Sequence, residues 1–98
     1  MICKHNLELV RTFPCLHCGK YGVDPCHWPV RRSQGRDDGL LNLLPLCRRT
    51  HDALDNGPES WYNAWAEMIA PYYFKRIAKA YPEEYLGTEE RIKEVLGD

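Results

Sequence analysis

The sequence predicts a small α+β domain, mostly helical, in which a two-stranded hairpin and a helix are surrounded by further helices. Three observations carry this. Cys15-Leu16-His17-Cys18-Gly19 has the spacing of a metal knuckle. Two short stretches suited to strands, Tyr21 to Trp28 and Leu40 to Cys47, flank a polar loop and lead into a helical segment. After Pro58 the apolar residues recur at helical spacing. With 98 residues the chain makes one domain, 1–98, divided into a motif core at 15–55 and a helical extension at 58–98.

Residues 4–12 read as a short helix, with Leu7 and Val10 on one face and Glu8 and Arg11 outward. Phe13-Pro14 ends it, because the residue before proline is pushed out of helical geometry. Gly19 supplies the tight turn of the knuckle. Pro25 and Pro45 restrict their strands to sheet edges or irregular ends. Arg31 to Gly39 is a polar loop without period. A helix then starts near Leu46 or Cys47, runs to about Asp55, and stops at Asn56-Gly57. Pro58 is a good first helical position. Trp61, Trp65, Met68 and Ile69 repeat at helical spacing, which makes them core or dimer surface before a stacking platform for bases. Pro71 is expected to kink or end that helix. Phe74, Ile77 and Ala78 share one side of the continuation to Tyr81. Thr88 caps a last helix, Glu89 to Leu96, whose first turn is favourably acidic.

A chain this short buries only part of its apolar surface, so a metal staple would supplement its core. No apolar run is long enough to span a membrane. The first residues, Met1-Ile2-Cys3-Lys4-His5-Asn6, lack the apolar stretch of a secretory signal. The expected location is cytoplasmic, where thiols stay reduced, and five cysteines with one C-x-x-C then favour metal over disulfides. Residues 1–49 carry eight Lys/Arg against four acids, and the remainder five against ten. A basic half holding the candidate site fits a polyanion-facing surface, although ordinary solvated faces would have the same composition.

Cys15 and Cys18 are spaced to bind one zinc ion from a single turn, and Cys47 at a helix start is a natural third ligand. A second knuckle would want its other ligand at position 50, which is Thr50. The fourth ligand stays open among His51, His17, His5 and Cys3. His51 and Asp55 lie four apart on one helical face and make a two-point grip on a divalent ion. Nitrogen and oxygen ligation suits manganese or magnesium when a phosphate completes the shell. His27, at the end of the first strand, reads by itself as a structural histidine.

Taken together, Cys15-x-x-Cys18, Cys26-His27-Trp28-Pro29, Asn42 ahead of Pro45-Leu46-Cys47, and His51 with Asp55 resemble the HNH nuclease motif, or ββα-metal fold. The preceding Leu9-Val10-Arg11-Thr12-Phe13-Pro14 is also similar to small HNH proteins of phages and prophages. The resemblance covers under half the chain. It implies a metal-dependent endonuclease in which His27 is the general base, Asn42 ties down the long loop and orients His27, and His51 with Asp55 holds one divalent ion. That ion would neutralise the scissile phosphate and stabilise the leaving 3′ oxygen. The family pattern places a further metal ligand just before the catalytic histidine, where this chain has Cys26. A thiolate discriminates against magnesium, so Cys26 either holds the ion loosely or serves structure or zinc. One imidazole nitrogen cannot serve both ions, and the family order favours His51 on the catalytic one.

Arg31, Arg32, Arg36, Arg48 and Arg49 flank this motif, and phosphate contact would position a duplex without reading its sequence. The expected partner is double-stranded DNA, nicked by a monomer or cut on both strands by a homodimer. The alternative is a zinc-ribbon module without catalysis that binds DNA or a phage packaging, terminase-like protein. A redox protein built on the C-x-x-C lacks its βαβ surroundings.

Overall fold

In a computed structural model the described residues are 2–56 and 60–97, and the side chains of residues 55, 56, 60 and 61 lie outside them. The elements run α1 (Lys4–Arg11), β1 (Asp24–His27), β2 (Leu43–Leu46), α2 (Arg48–Asn56), α3 (Ser60–Ala80) and α4 (Glu89–Leu96). Single 3-10 turns occupy Arg32–Gln34 and Leu40–Asn42. The result is a small α+β fold with four helices and one antiparallel hairpin among the described residues. No described helix is long and apolar enough to cross a membrane.

Leu43-Leu44-Pro45-Leu46 has no polar side chain, and all four residues are buried. A strand covered on both faces reads as a continuous apolar run, which is why no alternation marks it in the sequence. Its register with β1 sets Pro25 opposite Pro45 and His27 opposite Leu43. Two prolines can face each other only where neither must donate to the ladder. Pro45 instead turns its carbonyl outward to accept from the Leu16 N–H at 2.8 Å. The knuckle thereby closes the outer edge of β2. Within the knuckle, Gly19 takes φ 78° and donates to the Cys15 carbonyl at 2.8 Å. A residue with a side chain would be strained there.

Both strands are shorter than the sequence stretches suggest. Gly22, at φ 89°, bends the chain before β1. Leu40 and Leu41 make a 3-10 turn instead of extending β2, because their N–H groups go to the Tyr85 and Leu86 carbonyls at 3.0 and 2.9 Å. The segment before α4 thus takes the backbone bonds that a longer hairpin would have used.

Of the two expectations for Pro71, a kink or an end, the end does not occur; α3 runs through it as one helix. Proline removes one intrahelical donor, which leaves the Glu67 carbonyl without its partner. Pro71 and Glu67 are both exposed, so that carbonyl can be hydrated. Ala66, Ala70, Tyr73, Phe74, Ile77 and Ala78 on the opposite side are buried and hold the helix together across the gap. Met68, expected in the core or on a dimer surface, is 63% exposed and so is not core. The Trp61 side chain, the stop at Gly57 and the start at Pro58 lie outside the described residues. Thr88 caps α4 by accepting the Arg91 N–H at 3.1 Å. Arg91 reaches back to the Leu41 carbonyl at 2.7 Å and lies 5.0 Å over the Phe74 ring.

Gly39 is the tightest backbone crossing. A Cβ there would stand 2.6 Å from Gly87 Cα and 2.6 Å from the Leu86 carbonyl oxygen. Backbone cannot move aside as a flexible side chain would. Gly39→Ala is therefore expected to lower stability by about 1–3 kcal/mol in urea unfolding. An unchanged midpoint would show that the loop before α4 is not clamped at this crossing.

Candidate functional site

Asp38 sits at the centre of the site and is fully buried. A buried carboxylate needs partners on both oxygens. His27 Nε2–H donates to Oδ1 at 2.6 Å. Arg36 makes a two-point contact, Nε to Oδ1 at 3.0 Å and a terminal nitrogen to Oδ2 at 3.1 Å. The Cys3 backbone N–H donates to Oδ2 at 2.8 Å. Burial alone would push the Asp38 carboxyl up, but Arg36, the Cys3 N–H and His27 outweigh it and bring it down to about 2. The carboxylate is thus ionised and can only accept, so the bonded proton belongs to His27 Nε2. Nδ1 is left as the basic nitrogen of that imidazole.

Asn42 holds the loop that delivers Asp38. Its amide nitrogen donates to the Val30 and Asp37 carbonyls at 2.9 and 2.8 Å, and its Oδ1 accepts the Val30 N–H at 2.9 Å. Its backbone carbonyl accepts the Trp28 N–H at 3.1 Å, directly after His27. Asn6, in α1, donates to the Asp38 and Tyr85 carbonyls, each at 2.8 Å. The position of His27 is consequently set by groups from α1, the loop and the hairpin together.

Strand alternation turns Pro25 and His27 to one side and Cys26 to the other. His27 and Pro25 line a cavity of about 490 Å³, together with Leu7, Ser33, His51 and four arginines, Arg11, Arg31, Arg32 and Arg36. No carboxylate is among the lining residues that are described. Cys26 is wholly buried in the apolar core. Arg48 does not line the cavity and pairs with Asp24 at 3.2 Å on the surface. Arg49 is exposed and also lies outside the lining. The Asp55 side chain is outside the described residues.

Cys15, Cys18 and Cys47 come together, with their sulfurs within 4.8 Å of one another. This cluster could hold a metal such as zinc. Thr50 lowers the Cys47 thiol to about 7, through its hydroxyl first and its backbone N–H second. A thiol at a helix N-terminus is easily ionised for this reason. At Cys18 the Lys20 backbone pulls the thiol down, but desolvation and the neighbouring Cys15 and Cys47 raise it on balance. Crowded thiols resist joint ionisation unless a cation compensates them. Of the other candidates for this centre, His5 pairs with Glu84 at 2.6 Å, and among the described residues neither it nor Cys3 joins the three sulfurs. All five cysteines are free thiols.

Asp38, Asn6 and Arg11 were not singled out by residue type or spacing. Asp38 carries a signal only as an acid in an arginine-rich loop. Compared with protein-family models, curated proteins and solved structures, the chain matches none.

Two outcomes follow from these bonds. The folded Asp38 carboxyl binds its proton less tightly than the unfolded one, so its stabilisation is full above about pH 4 and is lost as pH falls through about 2. Asp38→Asn should destabilise the protein at neutral pH. The gap to wild type should shrink by on the order of 2 kcal/mol between pH 4 and 2. A gap that is constant with pH in denaturant unfolding would exclude the charge as the cause. Zinc added to metal-free protein should raise its melting temperature, and Cys15→Ser should abolish that gain. Equal melting of the two proteins with and without zinc would remove the metal staple.

Proposed function

We propose that this chain is a metal-dependent endonuclease of the HNH type that hydrolyses phosphodiester bonds in double-stranded DNA. One observation carries the reading: His27 and His51 share a cavity walled by four arginines, and behind His27 stands a buried carboxylate. Guanidinium groups suit phosphate, whose oxygens they can contact in pairs. The order hairpin, then helix, with His27 on β1, Asn42 before β2 and His51 on α2, agrees with a ββα-metal core.

The chemistry rests on the Asp38–His27 pair. Asp38 fixes the tautomer and stabilises the imidazolium that forms when Nδ1 takes a proton from a water molecule. The water oxygen then bonds to phosphorus as the bond to the 3′ oxygen breaks, leaving a 5′ phosphate and a 3′ hydroxyl once solvent supplies a proton. Arg11, Arg31 and Arg32 contact the phosphate backbone, whereas Arg36 also keeps Asp38 ionised. His51 would hold a divalent ion such as manganese or magnesium, with phosphate and water oxygens and Asp55 completing its shell. Bound there, the ion would supply charge neutralisation at the leaving oxygen.

The test is nicking of supercoiled plasmid by purified protein with manganese. Wild type is expected to cleave, and His27→Ala to lose at least a hundredfold in rate. Asp38→Asn should cleave more slowly than wild type while remaining folded. Equal cleavage by wild type and His27→Ala would assign the activity to something else. Absence of cleavage by both, with DNA still bound, would leave a binding module instead.

A further inference from the structure

Tetrahedral zinc takes four ligands, and the cluster supplies three. The position that would complete a second knuckle, three residues after Cys47, is Thr50. Thr50 is buried in the first turn of α2, with its Oγ1 3.3 Å from Cys47 Sγ. A hydroxyl there can hydrogen-bond to the thiolate, but zinc sites in proteins are built from thiolate, imidazole and carboxylate.

The nearby histidines are turned elsewhere. His17 packs into α3, its ring 5.0 Å from that of Trp65 at 86° and 5.6 Å from that of Tyr62. His51 lines the arginine cavity with His27. Among the described residues no fourth sulfur, imidazole nitrogen or carboxylate oxygen joins the three sulfurs. Cys18 is exposed and Cys47 half-buried, so the cluster has a side that faces solvent.

The geometry points to a three-thiolate zinc site whose fourth coordination position opens to solvent and takes an exchangeable neutral donor. Three thiolates around a dication leave a net negative charge, which disfavours a further anion. Water fills the position by default, and a neutral imidazole, a better donor to zinc, displaces it. The inference is independent of the nuclease reading, since it concerns a different set of side chains.

Cobalt(II) in place of zinc makes the coordination visible by absorption. Metal-free protein loaded with cobalt should show tetrahedral bands that shift on addition of free imidazole, with the thiolate-to-metal intensity unchanged. His17→Ala and His51→Ala should keep both the resting bands and the shift. Thr50→Cys should raise the thiolate-to-metal intensity by about one third, as a fourth sulfur joins, and should abolish the response to imidazole. Thr50→Val should leave the resting bands in place. Bands indifferent to imidazole in wild type, or lost in either histidine variant, would overturn the open position. So would a changed resting spectrum in Thr50→Val, which would make the hydroxyl the fourth ligand. If Thr50→Cys does not fold, wild type and the two histidine variants decide the question alone.

Discussion

A single buried carboxylate organises the molecule. Asp38 cannot be left in an apolar interior without donors, and its donors come from three separate parts of the chain: the Cys3 backbone, the Arg36 guanidinium and the His27 imidazole. Removing one partner of such a buried set leaves an uncompensated charge, at a cost on the order of 3–5 kcal/mol. The segment before α1, the long loop and β1 are therefore mutually dependent. Asn6 extends the dependence by joining the Asp38 carbonyl to that of Tyr85, so the segment before α4 is drawn into the same network. Small domains have little apolar surface to spare, and a polar network of this kind gives the loop one conformation where hydrophobic burial could not.

A second constraint runs along β2. Leu16 bonds to the Pro45 carbonyl, and Cys47 follows two residues later to meet Cys15 and Cys18. The same Cys47 begins α2, where its carbonyl accepts the His51 N–H at 2.8 Å. One turn of helix thus carries a residue of the cysteine cluster and a residue of the arginine-lined cavity. Displacing the knuckle would move the start of α2 and, with it, His51. The cluster and the cavity are separate in chemistry and joined in mechanics.

Much of this was legible in the sequence, for reasons that differ by element. The helix boundaries followed from capping and period: Thr88 and the acidic first turn mark α4, and the apolar spacing marks α1. The cysteine cluster followed from the tight C-x-x-C spacing, because two sulfurs in one turn have few other arrangements. Pro71 does not end α3 because its helical penalty is local, whereas the buried face of α3 extends over Ala66 to Ala78 and dominates. The strand ends were hidden because the competitor for their hydrogen bonds, the Tyr85–Leu86 backbone, is more than forty residues away in the chain. Asp38 was hidden for the same reason. An acid two residues from an arginine reads as a surface pair, and nothing local reveals that His27 and Cys3 converge on it.

The arginines show why composition was a weak guide to the site. Of the five in the loop and at the helix start, Arg31, Arg32 and Arg36 reach the cavity, while Arg48 pairs with Asp24 on the surface. An exposed pair of that kind adds little to stability, roughly 0–1 kcal/mol. Arg11 enters the lining from α1, which no local pattern ties to the loop. Clustered guanidinium groups repel one another unless an anion lies among them, and Asp38 answers Arg36 directly. Among the described residues that line the cavity, none is acidic. In the proposed nuclease reading, a phosphate diester would bind among these guanidinium groups, beside His27.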